Sequence, residues 1–481
     1  LKAVVFLFFC ISFLFAQDDA WLYQKYLSRS KAVKDINTLS AWLRNHPGMN
    51  LYEDSAGFRD FIQNKIIPEL PDSIEIRAFR RLLKKVVRYV HCGHTDVQLP
   101  FLYLYRFFKN HPPLIPFTAK SDDSIACVTG LHPGVTHLLK FGDTILSVNG
   151  VSVNDIIHQN LDLFTWDGYL TKSGEYHARN MLHQLIQMHL NYPKEYTLIV
   201  VRFGKPDTIV VSALIDNQKV RYKLHRLKDT LFRLGNSPGI QYYFSKDSTQ
   251  TWAYLKIERF TGNNFASELN HALRKISKHK KKVLILDLRN NGGGRILLAE
   301  NLLSRLYPYY PDEYVFYKKK NIGFPKKAVI FPLPYRIIQW CLPLYFRKET
   351  RNDTVWYKRN IKKKKPVPFR QIYVLSNYGT FSAASFVTAR LQRDANAIVV
   401  GEETGGTAGG CNAVIILPCR LPESRIKVFF PLYRFCNSSS SCRDDGKGVK
   451  PDILIKTKIS DRFAGRDRVL EQVIKIIQKN P

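Results

Sequence analysis

The sequence predicts an α/β protein in three parts: a helical N-terminal region, a β-rich middle and a C-terminal core in which strands and helices alternate. Three observations carry that prediction. Apolar residues recur at helical spacing from Trp21 to about Val90. Between about 115 and 215 the signals change to turns and short strands. From Thr251 onward short apolar runs alternate with amphipathic stretches, the pattern of a sheet covered by helices. The expected boundaries are a leader over 1–16, the helical part over 17–110, the β-rich part over 111–215 and the core over 216–481, interrupted by an insertion at 307–370.

Length and composition agree. A chain of 481 residues is too long for one ordinary core. With 45% hydrophobic and 23% charged residues it is neither disordered nor collagenous nor a coiled coil. The formal charge of +33 invites a nucleic-acid or anionic-surface reading. The charge is spread along the chain, however, with its densest runs at Lys278–Lys282, Lys318–Lys320 and Lys362–Lys365. No helix-turn-helix, zinc-finger, RNA-recognition or P-loop motif accompanies it. Solvated basic faces are expected, with no nucleic acid and with contact to an anionic envelope surface as the remaining option.

Taken in order, Lys2 precedes an apolar run from Ala3 to Ala16 that closes at a small residue before Gln17-Asp18-Asp19. This is the layout of a secretory signal peptide, too short for a membrane span. Export to the periplasm or beyond is expected. Helical runs at Leu39–Leu43, Phe58–Ile67 and Ile76–Val90 are punctuated by Pro47, Pro68 and Pro71, and the last ends at His91-Cys92-Gly93-His94-Thr95. In the middle part, Phe141-Gly142-Asp143 reads as a turn, Thr144–Val148 as a strand and Asn149-Gly150 as a hairpin turn, with a helix from Val153. In the core, strands are expected at Thr251–Ile257, Val283–Leu288, Ile372–Leu375 and Ile398–Val400, and helices at Phe265–Ser277, Leu297–Leu306 and about Ser382–Gln392. Val329–Phe346 is apolar but holds Arg336 and three prolines, so it reads as a packed insert or lid. Cys411, Cys419, Cys436 and Cys442 cluster late, which in an exported chain permits disulfides. No Cys/His set has zinc spacing, so no metal or organic cofactor is expected.

Three segments carry chemistry. The first strand–loop–helix reads Asp287-Leu288-Arg289-Asn290-Asn291-Gly292-Gly293-Gly294, whose glycines expose backbone N–H groups but lack the Lys-Ser/Thr of a phosphate loop. The second runs from Ser376 through Thr380 to Ser382 at the head of a helix, and continues to Gly401-Glu402-Glu403-Thr404-Gly405-Gly406. A serine there is either an N-cap or a nucleophile favoured by the helix dipole. The third is Gly448-Val449-Lys450-Pro451-Asp452, preceded by Asp444 and Asp445.

The middle part, from Gly130 to Ile157, resembles a PDZ domain of the bacterial protease type, which binds extended peptides by strand addition; a β-rich spacer is the alternative. In this order, and after that stretch, the segments resemble those of the tail-specific (C-terminal processing) serine peptidase family, tricorn-like members included. The resemblance implies a crotonase-like α/β peptidase core, polypeptide substrates and hydrolysis of unfolded or tail-exposed proteins. It implies Ser382 as nucleophile, with the N–H groups of Ala383 and Gly293 as oxyanion donors. Many members use a lysine three residues after the threonine of the GE-x-T segment; here Thr404 is that threonine and Thr407 stands at the lysine position. The tricorn-like branch uses histidine, and its pattern falls on His94, with Asp445 as the orienting acid. Asp444, Glu402 and Glu403 are rivals to Asp445, His91 is a nearby decoy, and Thr95 or Thr407 are candidate hydroxyls. Asp287 and Arg289 are expected to brace the glycine loop. The alternative to an enzyme is a peptide-binding protein that kept the fold and lost its base.

Overall fold

The computed structural model describes residues 26–479, except 54, 110–111, 216–222, 225–238, 245–249, 307–312, 320–327, 331, 360–365, 439–441 and 443. The expected leader, 1–16, lies outside the described residues.

Helix α1 (Arg29–Leu43) buries Ala32, Ile36, Leu39 and Leu43, the stripe of a helix with one wet face. Helix α2 (Ile76–Arg88) buries Phe79, Leu82, Leu83, Val86 and Val87 in the same manner. Each such side chain, once fully buried, contributes about 1.5–3 kcal/mol. The chain then turns through His91, at φ 46°, and enters a short strand, β1 (Asp96–Gln98). Both helices share one hydrophobic cluster with the C-terminal core. The helical region is therefore packed onto the core without a hydrophobic centre of its own.

The middle part does have its own centre. Strands β2 (Phe117–Ser121), β3 (Ala126–Leu131), β4 (Thr144–Val148), β5 (Glu195–Arg202) and β6 (Lys205–Ser212) form a sheet in the order β3-β4-β5-β6, with β2 on β3. Asn149 and Gly150 both take positive φ, 48° and 78°, as a two-residue hairpin turn requires. Helix α3 (Val153–Gln159) starts at Ser152, whose side chain accepts from the Asp155 N–H. Helices α4 (Thr171–Asn180) and α5 (Leu182–His189) follow.

The core holds two sheets. The first contains β7 (Ile240–Phe244), β8 (Trp252–Ile257), β9 (Val283–Asp287), β13 (Gln371–Ser376), β14 (Ile398–Gly401) and β17 (Ile453–Leu454), in that order. It is parallel except for β7, which runs against β8. All residues of β9 are buried, as expected of a parallel strand covered on both faces. Helices α6 (Phe265–Lys278), α7 (Ile296–Leu306), α9 (Ala383–Ala395) and α10 (Arg468–Lys479) complete this layer. The second sheet contains β10 (Tyr314–Lys319), β11 (Arg347–Arg351), β12 (Thr354–Arg359), β15 (Gly410–Arg420) and β16 (Lys427–Cys436), ordered β11-β12-β10-β16-β15. Strand β1 pairs with β16, so the segment that follows His94 is stitched into the core.

The 307–370 segment is more than an insertion. Strand β10 pairs with β16 as well as β12, so this segment builds half of the second sheet. Helix α8 (Pro332–Tyr345) stands on it and exposes Leu333, Trp340 and Leu344. Of the late cysteines, Cys436 and Cys442 are bonded to each other, while Cys411 and Cys419 are buried thiols.

Candidate active site

Strands β9 and β13 are adjacent and parallel, so the loops leaving their carboxyl ends lie side by side. Open α/β sheets hold their sites in such a crevice. Hydrogen bonds tie the loops together. The Phe381 N–H donates to the Asn291 carbonyl at 2.9 Å, the Thr380 hydroxyl to the Leu288 carbonyl at 2.9 Å, and the Asn290 N–H to Asn377 Oδ1 at 2.9 Å. Arg289 bridges Asp287 and Asp467 at 2.6 and 2.7 Å, so the bracing expected of Asp287 and Arg289 is what they do.

Ser382 sits at the junction of the second loop and α9 with φ 55° and ψ −121°. A non-glycine residue held there stores roughly 1–3 kcal/mol of backbone strain, which persists only where its surroundings dictate it. Its hydroxyl caps no helical N–H. Instead Oγ lies 3.1 Å from His94 Nε2. The N-cap reading open to this serine is therefore set aside by geometry. The Ala383 N–H, at the head of α9, has no acceptor among the described residues, and the helix dipole adds to its pull on negative charge.

Gly293 packs directly on this turn. A Cβ there would lie 2.7 Å from Ser382 Cβ and 2.9 Å from the Ala383 nitrogen, and its φ is +95°. Its N–H, however, donates to Asn291 Oδ1 at 2.9 Å. As a second oxyanion donor it would have to share that hydrogen, which qualifies the role expected of it. Gly293→Ala should wedge the glycine loop off Ser382. Fluorophosphonate labelling of Ser382 is expected to slow at least ~100-fold, the scale of one lost oxyanion donor. An unchanged labelling rate would mean the loop's approach is unimportant.

His94 leaves the turn after α2 and lays its ring on Phe381, centroids 4.8 Å apart. Burial pulls its pKa down from 6.5 to about 4, so the imidazole is neutral at pH 7. Its Nδ1 is buried and has no partner among the described residues.

Residues 251–455 match the family model for peptidase family S41. This stretch resembles an S41 peptidase domain. Over 157 residues the chain is 27% identical to a carboxyl-terminal-processing protease of Synechocystis, a match that spans 33% of this chain and 28% of that protein's length. The fold resembles that of mature CPAF in complex with lactacystin, at 16% identity, TM-score 0.65, and coverage of 94% of this chain and 98% of that one. It also resembles a candidate peptidase of Parabacteroides merdae, at 14% identity, TM-score 0.50, and coverage of 94% and 96%.

Within the matched stretch, Thr407, at the position where the resemblance puts a lysine, has its hydroxyl spent on Asp444 at 2.8 Å. Thr95 is likewise engaged, by His46 Nε2 at 2.8 Å. Neither hydroxyl serves the Ser382–His94 pair. Asp445 is exposed and holds the Lys447 N–H of its own turn at 3.0 Å. It does not reach the buried His94 Nδ1, so the orienting role expected of it is corrected. The rivals are engaged elsewhere too. Asp444 pairs with the buried Arg434, and Glu403 accepts from the Gly448 N–H at 2.8 Å. Glu402 lines a cavity of about 400 Å³ with Tyr254, Arg289 and Asn377, and burial pushes its carboxyl up to about 7. Ser382 and His94 are not among the residues lining that cavity.

His91 is bonded away from Ser382. Its Nδ1 donates to the Gly168 carbonyl at 2.8 Å, and the Gly168 N–H donates back to the His91 carbonyl at 2.9 Å. This clamp delivers a residue that no motif flagged. Asp167 is 2% exposed, and its Oδ1 accepts from the Gly93 N–H at 2.7 Å. A ring nitrogen of His94, Cys92 Sγ and an Asp167 oxygen lie within 4.8 Å of one another.

Proposed function

We propose that this chain is an exported serine endopeptidase that hydrolyses peptide bonds of unfolded or tail-exposed polypeptides. The observation that supports it most is the 3.1 Å approach of His94 Nε2 to the hydroxyl of a strained, uncapped Ser382. Ser382 Oγ attacks the carbonyl carbon while its proton passes to His94 Nε2. The oxyanion forms against the Ala383 N–H, with the Gly293 N–H shared from Asn291. The C–N bond then breaks, the imidazolium hands its proton to the leaving amine, and an acyl ester remains on Ser382. Water, deprotonated by the same imidazole, hydrolyses that ester.

In this reading the middle sheet is the PDZ-like substrate holder. In support, β2 is paired on one side only among the described residues, which leaves an edge for strand addition. The leader-like first residues, outside the described structure, support export. No helix among the described residues is long and apolar enough to cross a membrane. Contact with an anionic envelope surface fits the +33 charge and the exposed Leu333, Trp340 and Leu344 of α8. Anionic vesicles should therefore co-sediment the protein in low salt, and Trp340→Glu should weaken that binding at least ~5-fold; equal binding by the variant would remove α8 from the contact.

The deciding experiment is fluorophosphonate labelling of the mature protein, with the adduct mapped by mass spectrometry. A single adduct on Ser382, together with cleavage of fluorescein-labelled casein, is the expected result. Peptide binding with neither labelling nor cleavage would favour a binding protein that has lost its chemistry.

A further inference from the structure

We propose that Asp167 is the positioning residue for His94, accepting the imidazole Nδ1–H and balancing the charge the ring gains from Ser382. The proposal rests on the reading of His94 as base.

Two buried polar atoms lack partners here. His94 Nδ1 and Asp167 Oδ2 are both shut off from solvent and unbonded among the described residues. Nε2 is committed to Ser382, so Nδ1 is the free ring nitrogen, and the 4.8 Å cluster places Asp167 beside that ring. Unpaired buried donors and acceptors are costly, and a small side-chain rotation that joins these two satisfies both. The backbone holds them for it. Gly93 N–H to Asp167 Oδ1, Gly168 N–H to the His91 carbonyl, and His91 Nδ1 to the Gly168 carbonyl staple the 91–94 turn to the 166–168 turn. Carboxylate and imidazole are thus anchored to one rigid unit, as a base and its orienting acid need to be. The expected partner, Asp445, sits in solvent.

The charged and titratable surroundings are consistent. Arg434 favours the Asp167 carboxylate, and Asp444 opposes it. Cys92, Cys411 and the Tyr52 phenol are held in their neutral forms by burial. Burial pushes the Asp167 carboxyl up to about 7. Below that pH the protonated acid donates a hydrogen bond to a bare Nδ1, and the neutral ring then carries its hydrogen on Nε2, facing Ser382 in the wrong tautomer. Above it the carboxylate accepts from Nδ1–H and leaves Nε2 bare. The acid limb of kcat/KM should therefore lie near pH ~7 and belong to the pair.

The test compares wild type with Asp167→Asn, Asp445→Asn and His94→Ala, using casein cleavage and the pH dependence of fluorophosphonate labelling. Asn keeps the acceptor for the Gly93 N–H, so the turn is retained, which thermal melting checks. Asp167→Asn should lower kcat about 10³–10⁴-fold with KM nearly unchanged. Its acid limb should move down by more than about one pH unit, towards that of a lone buried imidazole. Asp445→Asn should stay within about twofold. Should Asp167→Asn fail to fold, the labelling pH profile of Asp167→Ala replaces it. An unmoved acid limb, or a kcat within about tenfold of wild type, overturns the proposal, as does a large loss in Asp445→Asn instead. Activity persisting in His94→Ala would sink the parent reading; an inactive His94→Ala beside a fully active Asp167→Asn would sink this one alone.

Discussion

Replacing Ser382 by alanine is expected to lower kcat by about 10⁶-fold, the loss seen when a serine peptidase is deprived of its nucleophile. A residual ~10³–10⁴-fold acceleration over water can survive, because the oxyanion donors remain. Stability should barely change. The hydroxyl's described partner is His94 Nε2, and it caps nothing in α9, so the loss is that of one hydrogen bond, about 1 kcal/mol. Alanine inherits the φ of 55° at much the same steric cost as serine. The variant should therefore fold, bind peptide and refuse both fluorophosphonate and casein. Steady-state cleavage and a thermal melt run together decide this, and an active, folded Ser382→Ala would show that another group attacks.

Replacing His94 by alanine should cost about as much in kcat, since base and nucleophile act as a unit. A histidine that merely ended a helix as a cation would behave differently. A cation there would be charged at neutral pH, and its removal would lower stability without touching chemistry. Burial argues against that reading: the ring is held near pKa 4 and is uncharged at pH 7. A base of that pKa is weak for its task, which is why a neighbouring carboxylate matters. Because the alanine variant also loses the packing of the ring on Phe381, His94→Gln should be measured beside it to keep the volume. Casein cleavage reduced in both variants at near-constant melting temperature assigns the base. Full activity in His94→Gln would return His94 to a structural role.

Much of the site was legible before the structure. Ser382 lies where a buried strand gives way to a helix, beside a second strand that ends in glycines, and parallel neighbours bring such loops together. Thr407 in place of a lysine was visible through the family resemblance. His94 was reached through family resemblance; its own spacing distinguishes it poorly from His91, three residues earlier. What separates the two is tertiary. His91 turns at positive φ and locks onto Gly168, whereas His94 turns inward onto Phe381 and Ser382.

The residues that the sequence misplaced share one cause. Asp445 sits beside the right turn in the chain, yet its side chain faces water. Asp167 belongs to the loop after α3, inside the 111–215 part that was read only for peptide binding, and reaches the site because two turns exchange hydrogen bonds. The 307–370 segment looked like an interruption because its pairing partner, β16, lies far along the chain.

By itself, then, the sequence determined the alternation of elements and a serine at the head of a helix, because each is written in residues close along the chain and governed by local periodicity and turn chemistry, while the missing lysine showed only against the family resemblance. Only the tertiary structure decided which histidine faces Ser382, where the Gly293 N–H is spent, that the N-terminal helices share the core, and which buried carboxylate lies beside His94. Those outcomes depend on contacts between residues distant along the chain, whose geometry is set by packing and by the need to satisfy every buried polar group.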